Sequence, residues 1–131
     1  MSKGTVIICK GLAGSGKSTW AKAQVQANPG KVKRVNKDDL RNMVDAGIYR
    51  KDNEPFILTL RDRIILEGVK RGKTVIVDDT NLNPIHERHI RKLVGPFVKV
   101  EVRTFFDVSV EECIERDSHR EGSAHVGAKV I

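Results

Sequence analysis

The chain has 131 residues, of which 39% are hydrophobic and 31% charged, the balance of an ordinary globular protein rather than a fibrous or disordered one. No apolar run approaches the ~20 residues that a membrane-spanning helix needs, which argues against a membrane protein. The net charge of +7 is unevenly placed, because residues 1–51 carry 11 Lys and Arg against 3 Asp and Glu. This surplus favours a polyanionic partner such as a phosphate-bearing molecule, and a solvated basic face is the alternative.

The predicted elements alternate strand and helix along the chain. The first, Thr5 to Cys9, is an apolar run without alternation, typical of a strand buried on both faces of a parallel sheet. Glycine and proline signals then separate stretches of helical spacing from β-rich runs. The elements predicted after the first strand are helix 17–27, strand 32–35, helix 37–46, helix 54–70, strand 74–77, helix 84–94, strand 98–106 and a last helix capped by Ser109.

This order predicts an α/β fold with a parallel sheet covered by helices, formed by residues 1–131 as a single domain. In the helix at 54–70, the apolar residues Ile57, Leu60, Ile64 and Val69 are near helical spacing. Cys9 and Cys113 lie far apart in apolar stretches, which favours buried reduced thiols and a cytoplasmic location over a disulfide or metal site.

A glycine-rich segment between the first strand and the first helix matches the phosphate-binding pattern G-x-x-x-x-G-K-[ST]. Its residues are Gly11, Leu12, Ala13, Gly14, Ser15, Gly16, Lys17 and Ser18, followed by Thr19. Glycines let successive backbone N–H groups turn toward phosphate oxygens, and the helix N-terminus adds partial positive charge. We expect Lys17 to reach the β- and γ-phosphates of a nucleotide and the Ser18 hydroxyl to ligate Mg²⁺.

Two acidic pairs follow neighbouring strands, Asp38-Asp39 after the second and Asp78-Asp79 after the third. Ligands of open parallel sheets bind at the carboxyl ends of the strands, so both pairs are expected to face the phosphate loop. Phosphoryl transfer to an alcohol needs one carboxylate to accept the hydroxyl proton and another near the metal. One member of the first pair is also expected to cap the helix that follows it.

Arginines complete the predicted site. Arg41 follows the first acid pair at the start of the same helix, where it could hold a phosphate of the acceptor, and a surface arginine is the alternative. Arg116 and Arg120, four residues apart, suit a lid that closes over the transferring phosphate, although surface charge on a helix explains the same spacing.

These motifs resemble the kinase domain of the T-even phage-type polynucleotide 5′-kinases, which phosphorylate 5′-hydroxyl ends of DNA and RNA. The resemblance runs in register over nearly the whole chain. The matching segments are Gly-Ser-Gly-Lys-Ser-Thr-Trp-Ala at 14–21, Asn-Pro-Gly at 28–30, Asp-Asp-x-Arg at 38–41, Asp-Thr-Asn-Leu-Asn-Pro at 79–84, Phe-Asp-Val at 106–108 and the Arg116/Arg120 pair. Asp-Asp-x-Arg combined with Asp-Thr-Asn-Leu-Asn-Pro is far more specific than the phosphate loop.

The resemblance implies a P-loop kinase fold with a four-stranded parallel sheet in the order 2-3-1-4 between helices, closed by a C-terminal lid. Lys17 and Ser18 would contact ATP and Mg²⁺, and Asp38 would act as general base on the acceptor 5′-OH. The residues alone leave Asp38 and Asp39 equivalent, and the resemblance selects Asp38. Arg41 would bind the adjacent phosphate of the acceptor.

The resemblance also makes Asp79 an essential acid at the strand end, and Arg120, with Arg116 nearby, a lid arginine on ATP. Asp38 or Asp79 would assist Ser18 at Mg²⁺, directly or through water. Asp78 is a departure, since the phage-type enzyme has a small polar residue there. The helix that follows the lid in related proteins would begin near Val130-Ile131, so the chain is either a short form or a part excised from a longer one.

The first hypothesis is therefore an ATP-dependent polynucleotide 5′-hydroxyl kinase, in the host cytoplasm if the chain is phage-encoded. The alternative is a P-loop kinase of a small-molecule alcohol such as a sugar, nucleoside or antibiotic, which gives no reason for the basic N-terminal segment. A non-catalytic nucleotide-binding module is the third class, and the presence of both acid pairs argues against it.

Overall fold

The computed structural model describes residues 4–105, which form a parallel sheet flanked by helices. The predicted α/β fold is confirmed, and most element boundaries agree with the sequence prediction within two residues. The elements in chain order are β1 (Thr5–Lys10), α1 (Lys17–Ala27), β2 (Val32–Val35), α2 (Lys37–Asp45), a 3₁₀ turn (Lys51–Asn53), α3 (Glu54–Lys70), β3 (Thr74–Val77), α4 (Pro84–Val94) and β4 (Lys99–Thr104).

The strand order β2-β3-β1-β4, with every neighbouring pair parallel, confirms the predicted order. The register places Val77 of β3 beside Ile8 of β1 and beside Val35 of β2. Three strands therefore end at one edge of the sheet. The segments that follow them are the phosphate loop, the start of α2 and the second acid pair.

Apolar side chains fill both faces of the sheet because a fully buried strand directs alternate residues to opposite sides. The larger cluster joins the strands to α3 and α4 through Val6, Ile8, Val75, Val77, Ile57, Ile65, Val69 and Ile90. The smaller cluster, on the side of α1, contains Cys9, Ala21 and Ile76. Burial raises the pKa of the Cys9 thiol to about 12, so this cysteine stays protonated near neutral pH. Cys113 lies outside the described residues.

The apolar residues that indicated helix α3 do not all face the core. Ile57 and Val69 are buried and Leu60 is half-buried, whereas Ile64 is exposed and Arg61 is buried. The stripe that meets the sheet repeats every three to four residues from Ile57, and Ile64 falls to one side of it. The buried Arg61 guanidinium donates from Nε and Nη2 to the Asp62 carboxylate at 3.1–3.3 Å, while its Nη1 has no hydrogen-bond partner among the described residues.

Gly68 allows α3 to approach the sheet closely. A Cβ built on Gly68 would lie 2.3 Å from Cγ2 of Val75 in β3, well inside van der Waals contact. We expect Gly68→Ala to destabilise the protein by ~1–2 kcal/mol, because ~1–3 kcal/mol of overpacking outweighs the better helix propensity of alanine. Urea unfolding measures this.

Val75, the residue that the added methyl group would meet, supplies the control. In the Gly68→Ala background, Val75→Ala should cost clearly less than it costs alone, since it removes the methyl group that alanine meets. Strictly additive effects of the two substitutions would contradict the contact.

Candidate active site

A cavity of about 300 Å³ lies at the sheet edge where β1, β2 and β3 end. Three segments that are distant in sequence meet there, one after each strand. The lining residues are Ala13, Lys17, Ser18, Asn36, Lys37, Asp38, Arg41, Asp78, Asp79 and Thr80. The cavity thus brings together the predicted phosphate loop, the Asp-Asp-x-Arg segment and the second acid pair, as expected for ligand binding by a parallel sheet.

The phosphate loop has the backbone conformation that its glycines permit. Gly14 and Gly16 have φ of 80° and 99°, in the left-handed region that other residues rarely adopt. A Cβ on Gly11 would lie 2.8 Å from Ser15 Oγ, so the loop closes tightly on itself. The Lys17 side chain is buried, and its Nζ donates to the Leu12 carbonyl at 2.7 Å. The ammonium group is thereby held over the loop, next to the position that the pattern reserves for phosphate.

Asn81 fastens the loop to the sheet edge, a role that sequence reasoning did not assign to it. Its side chain is buried and its Nδ2 donates to the carbonyl of Cys9, the residue before the end of β1, at 2.9 Å. Its φ of 50° is left-handed, a conformation that asparagine tolerates better than most residues. The Gly11 N–H also donates to the Thr80 carbonyl at 3.1 Å. The only sequence signal for this role was an asparagine two residues after an acid pair.

The cap of α2 corrects a prediction. Asn36, and neither member of the first acid pair, caps the helix: its Oδ1 accepts from the Asp39 N–H at 3.0 Å. The Asn36 amide also donates to the Asp78 carbonyl, so the cap ties α2 to the end of β3. Asp38 and Asp39 lie in the first turn instead, where the partial positive charge of the helix N-terminus favours carboxylates. Their side chains are therefore available for other contacts.

Asp79 links β3 to the start of α2. Its Oδ1 accepts from the Lys37 N–H at 2.9 Å, while Oδ2 is buried without a hydrogen-bond partner in the part of the chain that the structure describes. Burial raises the pKa of the Asp79 carboxyl, and the charges of Lys37 and Arg61 oppose that rise. The predicted strand-end acid therefore has a clear structural contact as well as a place in the cavity wall.

Asp78 is fully buried and paired with an arginine that sequence reasoning overlooked. Arg34, in β2, donates from Nε to Asp78 Oδ2 at 2.6 Å. The same guanidinium donates from Nη1 to Asp39 and from Nη2 to Ser18 Oγ at 3.4 Å. A charged residue in a short strand gives no sequence signal for such contacts, because its partners lie on three other segments.

Arg41 lines the cavity, and its guanidinium is surrounded by two carboxylates and an aromatic ring. It donates from Nη1 to Asp38 Oδ1 at 2.7 Å and from Nε to Glu54 Oε2 at 3.0 Å, and Nη2 donates to the same Glu54 carboxylate. These contacts, the one to Glu54 foremost, raise the pKa of the Arg41 guanidinium, so it is charged at any working pH. The ring of Tyr49 lies 5.5 Å from the guanidinium carbon.

Six of the predicted site residues line this cavity: Ala13, Lys17, Ser18, Asp38, Arg41 and Asp79. The other predicted phosphate-loop residues, Gly11, Leu12, Gly14, Ser15 and Gly16, belong to the same loop but are not part of the cavity wall. Thr19 is exposed on α1 and does not line the cavity. The predicted lid arginines Arg116 and Arg120 lie outside the described residues, as does the helix predicted after Ser109.

The donor set at the cavity fits Mg²⁺. This ion prefers oxygen ligands, keeps several waters and commonly takes one or two carboxylates plus nucleotide phosphates. Ser18 supplies a hydroxyl, and buried carboxylate oxygens without partners within residues 4–105 are present on Asp78 and Asp79. No cluster of three or more His, Cys, Asp and Glu side chains in that same range could enclose a metal by itself. The site therefore suits an ion brought in with a nucleotide.

Almost the whole chain matches one known protein family. A protein-family model described as AAA domain matches residues 6–131. The chain belongs to this family. No helix within residues 4–105 of this AAA-domain protein is long and apolar enough to span a membrane.

Solved structures with a similar fold include both nucleic-acid and small-molecule enzymes. A chain of the Pnkp1/Rnl/Hen1 RNA repair complex is 25% identical with a TM-score of 0.77, and the match covers 90% of this chain and 38% of that one. This AAA-domain chain therefore spans about two fifths of the length of that relative. The specific likeness to the phage-type enzymes is not resolved by these matches.

More distant matches show the fold alone. The Mycobacterium tuberculosis APS kinase CysC, solved with AMPPNP and APS, is 19% identical with a TM-score of 0.68, covering 91% of this chain and 71% of that one. A gluconokinase from Sinorhizobium meliloti is 20% identical with a TM-score of 0.52, covering 92% and 67%. The AAA-domain protein thus has a P-loop kinase fold, and its phosphate loop is the nucleotide-binding element of that fold.

Proposed function

We propose that this protein is an ATP-dependent polynucleotide 5′-hydroxyl kinase that transfers the γ-phosphate of ATP to the 5′-OH end of DNA or RNA. The observation that carries the proposal is a single cavity lined both by Lys17 and Ser18 of the phosphate loop and by the Asp38–Arg41 pair. The loop would hold the donor, and the pair would hold the acceptor.

Asp38 has the chemistry of the general base in this scheme. Its carboxylate is partly exposed in the cavity wall and held by Arg41 through Oδ1, which leaves Oδ2 to accept the proton of a 5′-OH. As that proton leaves, the hydroxyl oxygen forms its bond to the γ-phosphorus and the bond to the β-γ bridging oxygen breaks. Lys17 would stabilise the negative charge that develops on the phosphates.

A bound Mg²⁺ would neutralise further charge on the donor phosphates, with Ser18 and a buried carboxylate of the cavity holding it. Arg116 and Arg120 are proposed to close over the same phosphates from a lid. These roles keep the reacting groups aligned and limit access of water, which competes with the hydroxyl as acceptor.

Arg41 is proposed to bind the phosphate next to the reacting end of the strand. A guanidinium has five N–H donors, and within residues 4–105 three of them go to Asp38 and Glu54. One N–H on each terminal nitrogen therefore remains for a phosphate. The pairing with two carboxylates fixes the fork in place before the strand binds, which lowers the entropic cost of binding.

The second candidate is a kinase of a small-molecule alcohol, supported by the fold shared with the APS kinase and the gluconokinase. Charge separates the two candidates. Eleven basic residues against three acidic ones in residues 1–51 suit a strand of phosphates and have no purpose for a small neutral alcohol.

Arg41→Gln distinguishes these candidates. If Arg41 holds the strand, the substitution should lower kcat/KM for a 5′-OH oligonucleotide. The corresponding loss of transition-state stabilisation should be the ~1.5–3 kcal/mol typical of a charge-assisted hydrogen bond. A nucleoside without phosphate should be a poor substrate of the wild type, and Arg41→Gln should change its kcat/KM little. Wild-type affinity for the oligonucleotide should also fall as salt rises, because protein binding releases cations from the strand and this release is less favourable at higher salt. Steady-state kinetics at several salt concentrations measure both effects.

The matched control is Arg71→Gln, an exposed arginine outside residues 1–51 that pairs with Glu67 and does not line the cavity. It should leave the kinetics within about twofold. Oligonucleotide kinetics that respond neither to Arg41→Gln nor to salt would overturn the nucleic-acid assignment and leave the small-molecule kinase.

A further inference from the structure

We propose that Arg34 is a positioning residue of the metal site, acting through Asp78 and Ser18, and that Asp78 is the carboxylate that accepts from the waters of the bound ion. The inference rests on one part of the proposed function, the binding of ATP with a metal ion. It concerns the metal-nucleotide site and is independent of which acceptor is used.

The first step is the choice of carboxylate. Asp38 is engaged by Arg41, and Asp79 accepts from the N–H of Lys37 at the start of α2. The Asp78 carboxylate accepts instead from Arg34 in β2, is fully buried, and lines the cavity directly after β3. Its Oδ1, like Oδ2 of Asp79, has no hydrogen-bond partner in the described range. Burying a carboxylate oxygen without a hydrogen bond costs several kcal/mol of folding free energy unless a ligand or its water donates to it.

The second step is the arginine that holds this carboxylate. Arg34 donates from Nε to Asp78 Oδ2 at 2.6 Å. This contact fixes the orientation of the carboxylate, and Oδ1 is left to accept from the waters of the ion. Through Nη2 it also contacts Ser18 Oγ, the hydroxyl that the phosphate-loop pattern assigns to the metal. One planar group thereby sets the relative positions of the hydroxyl and the carboxylate, which belong to α1 and the end of β3.

The third step concerns charge. A guanidinium beside a cation site would repel the ion, but Arg34 here faces two carboxylates, Asp78 and Asp39. The cluster of the three is net negative, so it attracts a divalent ion while its geometry stays fixed. Lysine could replace the charge of Arg34 but not its three directed contacts, because an ammonium is a point charge without the planar fork.

The test measures metal binding rather than turnover. Mn²⁺ is the probe, and its binding to the complex of the protein with a non-hydrolysable ATP analogue is followed by the electron paramagnetic resonance signal of unbound Mn²⁺. Asp78→Asn should weaken Mn²⁺ binding on the order of tenfold or more, the usual effect of losing an outer-sphere partner of a metal. Arg34→Lys should weaken it severalfold. The affinity for the analogue without metal should change less than about twofold in both variants.

A double variant tests whether Arg34 acts through Asp78. In the Asp78→Asn background, Arg34→Lys should weaken Mn²⁺ binding clearly less than it does in the wild-type background, because the carboxylate that it positions is gone and only its contact with Ser18 remains. Full additivity would show that Arg34 acts on the metal by another route and would overturn its assignment as the positioning residue of Asp78.

Two further outcomes would overturn the inference. If Asp78→Asn and Arg34→Lys lower the unfolding temperature and leave Mn²⁺ affinity unchanged, the pair is a structural link between β2 and β3. If Asp79→Asn weakens Mn²⁺ binding more than Asp78→Asn does, the metal carboxylate is Asp79. Failure of the wild type to phosphorylate oligonucleotides, with the Asp78→Asn effect intact, would overturn the proposed acceptor and leave this inference standing.

Discussion

Lys17→Ala should abolish phosphoryl transfer to every acceptor, with a loss of turnover on the order of 10³-fold or more. The lysine is buried over the phosphate loop and its charge is needed on the phosphates whatever molecule receives the γ-phosphoryl group. The measurement is single-turnover transfer from labelled ATP, which separates the chemical step from product release.

Lys70→Ala is the matched control, because Lys70 is an exposed lysine at the end of α3, outside residues 1–51 and away from the cavity lining. It should retain transfer within about twofold. Wild-type rates in Lys17→Ala would contradict the assignment of this segment as a nucleotide-binding loop and with it the whole account of the cavity.

Asp38→Asn should lower turnover by about 10²-fold or more while leaving ATP affinity nearly unchanged. Asparagine keeps the size of the side chain and a contact to Arg41, but it cannot accept the hydroxyl proton. Measuring kcat together with equilibrium binding of ATP separates the two effects.

Asp52→Asn, an exposed carboxylate that pairs with Arg50, controls for a general loss of negative charge and should leave turnover within about twofold. A loss of ATP affinity as large as the loss of turnover in Asp38→Asn would place Asp38 at the metal. The general base would then be another group.

The fold could be predicted because its signals are local. A buried strand, a glycine loop and a helix in direct succession identify the first βα unit, and Asn83-Pro84 marks the start of α4. Parallel strands end together, so the approach of the two acid pairs to the phosphate loop also followed from order alone.

The contacts inside the site could not be predicted because they depend on the register of the sheet. Arg34 reaches Asp78 since Val35 lies beside Val77, and neither partner shows this in its own segment. The cap at Asn36 was missed for a related reason. Three capping candidates, Asn36, Asp38 and Asp39, lie within four residues there, and only Asn36 also bonds to the end of β3 through its side-chain amide.

Burial of Arg61 in α3 shows the same limit of pattern reasoning, since a charged residue is normally counted as exposed. Its charge influences Asp79 at the cavity, a long-range effect that spacing along one helix does not reveal.

The most direct test offers the chain competing acceptors in one reaction. The 131-residue protein is incubated with γ-labelled ATP and Mg²⁺, together with a 5′-OH oligonucleotide, the same oligonucleotide bearing a 5′-phosphate, and a neutral sugar. We predict label on the 5′ end of the 5′-OH oligonucleotide alone, removable by a phosphatase. Label on the sugar, with none on the 5′-OH oligonucleotide, would contradict the proposed function.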